Sequence, residues 1–211
     1  MYRKAMGAVL VPVVVAVLAG CGGGAAPVGG MSAPPAASAA PSAAHNAADV
    51  TFAQGMIPHH QQAVVMAELA GSRAANDGVK QLAARIRQAQ APEIAQMQGF
   101  LAAWGVEAGT PTSTSMGGMD HGSMPSMGQS MGQMPGMMTE EQMTAMEKAS
   151  GPEFDRMFLQ MMIDHHEGAV RMAGTEVKDG QSAEAKALAQ KITDAQKAEI
   201  TEMTTMLNSG S

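Results

Sequence analysis

The sequence predicts an all-α protein: a four-helix bundle assembled from two tandem helix-hairpin repeats. Three observations carry this expectation. They are a gapless internal duplication, apolar residues at helical spacing in each copy, and turn residues where that spacing lapses. Phe52 to Leu101 superposes on Phe158 to Leu207 at one offset, 158 − 52 = 106 and 207 − 101 = 106, and 20 of the 50 aligned positions are identical, which fixes the register. The identities include Phe52/Phe158, Met56/Met162, Ile57/Ile163, His59/His165, His60/His166 and Met66/Met172. Further on come Leu82/Leu188, Ile86/Ile192, Gln90/Gln196, Glu93/Glu199, Ile94/Ile200 and Met97/Met203. Two copies are too few for a solenoid and suit a pseudo-twofold bundle.

Each copy reads as two helices. The first is expected over 49–70 with Gly71 as its stop, and the second over 76–104 with Gly105 after it. The third begins near Thr139, which has capping-box spacing with Gln142. Gly151-Pro152 should interrupt it ahead of the segment 153–177. Asp179-Gly180 makes a turn before a fourth helix over 182–207. Residues 105–138 form a long crossover between repeat one (49–104) and repeat two (139–208). Pro58 lies inside the first helix, where a kink or a shifted start is expected.

Ahead of the bundle, Arg3 and Lys4 precede an apolar run that ends in Leu18-Ala19-Gly20-Cys21. The run is too short to span a membrane comfortably. Charge, apolar run, small residues and cysteine fall in the order of a bacterial lipoprotein signal over 1–20, with Cys21 as the lipidated first residue. An ordinary signal peptide with an incidental cysteine is the alternative. Residues 21–48, rich in Gly, Ala, Pro and Ser, read as a flexible tether whose His45 is incidental. The expected location is the cell membrane, anchored by lipid and facing the periplasm or the exterior. Losing Arg3 and Lys4 takes the net charge from -6 to -8, and no basic patch remains for nucleic acid.

Methionine is the compositional anomaly, with 22 in 211 residues, while aromatics make up only 3%. Cys21 is the only cysteine, so lipidation there would leave no thiol for disulfides or metal. Thioethers do not pair into disulfides in an oxidising compartment, which makes methionine a suitable soft ligand there. The helical wheel sets Glu93 in the middle of an apolar stripe of Leu82, Ile86, Met97, Phe100 and Trp104, and Glu199 in the matching place among Leu188, Ile192 and Met203. A carboxylate there is costly unless it is paired or bound to a cation. Met56, His59, Ala63 and Met66 share a face of the first helix with His60 at its edge, and Met162, His165, His166 and Met172 repeat the pattern. Imidazole with thioether is a soft ligand set that favours Cu(I), and by analogy Ag(I), over Mg, Ca or Mn. Glu93 and Glu199 could ligate directly or accept a proton from histidine. Against this stands the bland alternative: methionines as core filler and histidines in a hydrogen-bonded network.

The crossover adds a methionine-rich stretch containing Met116, Met119, His121, Met124 and Met127 among Gly, Ser and Pro. A flexible chain of this composition can fold several thioethers around one Cu(I). Its Gly-Met-Asp-His-Gly text resembles the methionine-rich segments of bacterial copper-resistance proteins. The alternative is a low-complexity linker that scavenges oxidants.

The pattern Met56-Ile57-Pro58-His59-His60-Gln61 with Met66, Gln90, Glu93 and Met97, matched by Met162-Ile163-Asp164-His165-His166-Glu167 with Met172, Glu199 and Met203, resembles the domain-of-unknown-function family numbered 305. That resemblance implies a ferritin-like helical bundle, export and, in some members, periplasmic copper binding and copper tolerance. The leading expectation is therefore a copper-binding lipoprotein that sequesters Cu(I) or passes it on to copper-handling partner proteins, and is not an enzyme. An envelope interaction module without metal is the second reading. A ferritin-like di-metal oxidoreductase is a third, although the Glu-x-x-His pair such sites need is absent.

Overall fold

The computed structural model describes residues 44–107 and 134–210. Over these it is all helix: α1 (Ala47–Arg73), α2 (Asp77–Trp104), α3 (Glu140–Lys148), α4 (Gly151–Asp179) and α5 (Ala183–Asn208). The starts come from side-chain chemistry. Asn46 caps α1 and closes a capping box with Asp49, and Thr139 does the same for α3 with Gln142. Asn76 and Ser182 cap α2 and α5. Gly105 ends α2 in the left-handed conformation that glycine adopts without penalty. The expected break at Gly151-Pro152 is present, since α3 stops at Lys148 and Pro152 falls in the first turn of α4.

Two expectations are corrected. The first helix begins at Ala47 and runs unbroken through Pro58, so no shifted start occurs there. The carbonyl that proline leaves without a donor, that of Gln54, belongs to a partly exposed turn, where water can satisfy it. Gly71 is not the stop either. The helix carries on to Arg73 and ends at Ala74, because Asp155 draws the next two backbone N–H groups away from the helical path.

Two carboxylates join the repeats. Asp155 at the start of α4 accepts from the N–H groups of Ala75 (3.1 Å) and Asn76 (2.9 Å) in the α1–α2 turn. Asp49 at the start of α1 accepts from Gln181 (3.1 Å) and Ser182 (2.9 Å) in the α4–α5 turn. Each residue maps on its counterpart by the same offset, 155 − 49 = 106 and 181 − 75 = 106. The pseudo-twofold relation therefore extends beyond the segment in which identities are dense.

Helix α1 packs along α2, α4 along α5, and the two hairpins meet chiefly through α1 and α4. Two apolar clusters result. One combines Ala63 to Ala70 of α1, Val79 to Ile86 of α2, Phe154 to Met162 of α4, and Met203 of α5. The other combines Phe52 to Ile57, Met97 to Trp104, Ala169 and Ala173, and Ala185 to Ile192. The later part of α1 shares a cluster with the earlier part of α4, so these helices run antiparallel. Both clusters stop short of the middle of the four long helices α1, α2, α4 and α5.

Candidate metal centre

The gap between the clusters is filled by polar side chains at the same height on four helices. Helix α1 supplies His59 and His60, α4 supplies His165 and His166, α2 supplies Gln90 and Glu93, and α5 supplies Gln196 and Glu199. All four histidines are 0% exposed. Helical phase puts them there. Each His pair falls one turn after a buried methionine, Met56 or Met162, on the stripe that faces the other repeat.

Within the layer the repeats behave alike. His60 Nε2 lies 2.9 Å from Glu93 Oε2, and His166 Nε2 lies 2.7 Å from Glu199 Oε2. Glu93 and Glu199, expected on apolar stripes, are thus paired with histidine, as burial of a carboxylate requires. The Glu93 side chain is 6% exposed and also meets Lys191 at 3.4 Å, whereas that of Glu199 is 19% exposed. His59 and His165 meet across the interface with ring centroids 3.7 Å apart. The layer leaves coordination capacity unused. Nδ1 of all four histidines and Nε2 of His165 have no hydrogen-bond partner among the described residues, and neither do the amides of Gln90 and Gln196. Buried polar atoms are ordinarily satisfied, so such orphans call for a water or an ion.

Burial, then the neighbouring His60, pushes His59 down to about 3. Burial, then His59, holds His165 well below the usual histidine range. His60 is lowered by burial against the pull of Glu93. These rings are neutral at physiological pH, the form that donates a lone pair to a metal.

The methionines divide by position. Met56, Met66, Met97, Met162 and Met203 are fully buried in the clusters that bracket the layer, and Met172 is partly buried against one of them. Met116, Met119, His121, Met124, Met127 and Cys21 lie outside the described residues. The last part of the crossover is described, and it packs on the bundle. Met138 joins a core cluster with Met146, and Pro135 presents its carbonyl oxygen to His59 Nε2 at 3.2 Å. Among the described residues no three His, Cys, Asp or Glu side chains are grouped to hold one ion. Thioethers would have to complete any such set.

Several features are hidden in the sequence. Asp49 and Asp155 share the repeat offset, but mismatches at positions 50 and 51 separate them from the aligned run. The buried glutamines stand among the identities without a role. His45, expected to be incidental, stacks on Trp104 with centroids 4.9 Å apart.

A duplicated helical bundle with a histidine–carboxylate layer at its waist and methionine on either side defines a class of scaffold rich in soft ligands. The chain belongs to the DUF305 family, a domain of unknown function whose model matches residues 49–207. Among solved structures it is similar to a DUF305 protein from Streptomyces coelicolor, with 31% identity over 77% of this chain and 92% of that one and a TM-score of 0.66. A DUF305 fragment from Deinococcus radiodurans is 29% identical over 77% of this chain and 97% of that one, with a TM-score of 0.65. CopM in its Cu(I)-bound form is 29% identical over 76% of this chain and 96% of that one, with a TM-score of 0.59. CopM has also been solved in Cu(II)-bound and Ag-bound forms. No curated protein matches the chain.

Proposed function

We propose that this protein is an extracytoplasmic copper-binding lipoprotein, anchored through Cys21, that sequesters or transfers Cu(I) and catalyses no reaction. One observation carries the reading: neutral, buried imidazoles from both repeats converge at the bundle waist with ring nitrogens that nothing else uses. In this reading His59 and His165 are the principal nitrogen ligands, while Glu93 and Glu199 hold His60 and His166 in one tautomer and orientation. Met56 and Met162, one turn away, with Met66, Met97 and Met203 beyond them, supply the soft sulfur that favours Cu(I), and Met172 supplies a further thioether on the partly exposed side of the bundle. Met116, Met119, His121, Met124 and Met127 form a second store of soft ligands in the crossover sequence. Similarity to CopM, solved with Cu(I), Cu(II) and Ag, supports the choice of metal.

The test is a Cu(I) titration against a competing chelator under anaerobic conditions. The wild type should withdraw copper from the chelator, and a His59→Ala/His165→Ala variant should withdraw measurably less. Equal competition by the two proteins would remove the bundle from the proposal. One feature favours a metal-free structural module, namely that Glu93 pairs with His60 and Glu199 with His166 through Nε2 without an ion. That reading requires copper to leave thermal stability unchanged, whereas a ligand that binds only the native state must raise it.

A further inference from the structure

We propose that Met134 and Met172 form a thioether-only site for a soft monovalent cation over Gly55, separate from the histidine layer; the proposal rests on the copper reading above. The Gly55 position is a notch in a buried part of α1. A Cβ built there would lie 3.8 Å from Met134 Sδ and 3.8 Å from Met172 Sδ. The two sulfurs therefore flank one point from two different segments of chain.

Met134 is held in place by its C-terminal neighbours, residues 135–138. Gln62 grips the backbone of Met138 at both ends, donating from Nε2 to its carbonyl (3.0 Å) and accepting its N–H at Oε1 (2.7 Å). Pro135 lies so close to α4 that a Cβ on Gly168 would overlap its carbonyl oxygen. Gly136 takes φ +82 and comes down on the backbone of Asp164 and His165, where no side chain would fit. The repeat is broken at these points. Gly168 matches Gln62 (168 − 106 = 62), and Gly55 matches Met161 (161 − 106 = 55). Only one of the two equivalent grooves can take this segment, and only one notch is empty.

Met172 differs from its counterpart in the same way. Met66 is 0% exposed and wholly committed to packing. Met172 is partly exposed and lines a cavity of about 400 Å³ with Phe52, Thr51 and Glu176. A cation can reach its sulfur from that side without crossing the core. Two neutral thioethers with no anion in the pair select a soft, low-charge ion, and methionine's rotatable bonds let the sulfurs close on it.

Silver(I) alone is the probe, added to the full chain labelled with 13C at its methionine methyl groups. Met134→Leu and Met172→Leu assign the two signals, and leucine keeps the apolar volume. The two methyl signals should shift together along one titration curve, and each variant should abolish the shift of the remaining partner. A partner that still shifts along an unchanged curve overturns the site. Stationary Met134 and Met172 signals while other methionines respond also overturn it, and leave the copper reading standing. If no methionine signal responds to excess silver, both fall.

Discussion

At Glu176, burial and then the neighbouring Asp49 carboxylate push the carboxyl up to about 8. Burial works on Asp49 in the same upward direction. There it is outweighed by N–H groups of Asn46, Ser182 and Gln181 and by Glu176 itself, which together hold Asp49 below the usual range. The native pair is thus one carboxylate and one carboxylic acid. In the unfolded chain Glu176 ionises near its ordinary value of 4.5. Between that value and about 8 the unfolded state gives up a proton that the native state keeps, so this group's contribution to stability falls as pH rises, then levels off. Glu176→Gln keeps a neutral polar side chain at this position and removes the titration. Thermal melts of the two proteins should agree at pH 4, below the unfolded value. At pH 9 the variant should melt higher, by roughly 2–4 °C for each kcal/mol recovered. A constant difference across that range would contradict the assignment. Nothing in the sequence marks this residue. Its repeat partner is Ala70, and it sits on a face that otherwise reads Ala169, Met172 and Ala173.

At the scale of elements, helix spans were legible because apolar periodicity and capping residues act locally. The seating of residues 134–138 was not, because it depends on a long-range fit to a groove between α1 and α4. Gly168 carries no local signal of that fit, since a glycine inside a helix ordinarily just weakens it. Gly168→Ala tests the fit. The new Cβ meets the Pro135 carbonyl, backbone that cannot rotate away, so the segment must lift and release the Gln62 clamp with the buried Met137 and Met138. The expected cost is about 1–3 kcal/mol, typical of overpacking. Hydrogen exchange at the Met138 N–H should accelerate with it. Gly174→Ala, on the same helix with nothing near its Cβ, is the control and should be neutral or stabilising by about 0.5–1 kcal/mol. Equal melting temperatures for the two variants would show that the segment is not held as described.

For the whole molecule, the duplication told more than any one motif. It placed Glu93 and Glu199 on apolar stripes and both His pairs on inward faces, and the fold brings all of them to one level. Sequence periodicity gives angular position on one helix, however, and not which residues on four helices share a height. That is why the spacing alone does not show that His59 and His165 are the pair that meets across the interface. The shared height also decides between a structural and a binding role for the layer. Two apolar clusters separated by buried polar groups are less stable than one continuous core of the same volume. Replacing both partners of a buried hydrogen-bonded pair with apolar residues can be nearly neutral or stabilising, whereas leaving one partner buried and unsatisfied costs about 1–3 kcal/mol, and more where it is charged. His60→Leu/Glu93→Leu should therefore melt at or above the wild type in the presence of a chelator, with exposed Lys191 turning to solvent. His60→Leu alone should melt well below it. Adding Cu(I) should then raise the wild type's melting temperature more than the double variant's, since the apolar pair no longer orients or contributes an imidazole. A layer kept for metal gives up stability in the free protein and regains it on binding. One kept for structure would show the double variant destabilised, with copper shifting both proteins equally or not at all.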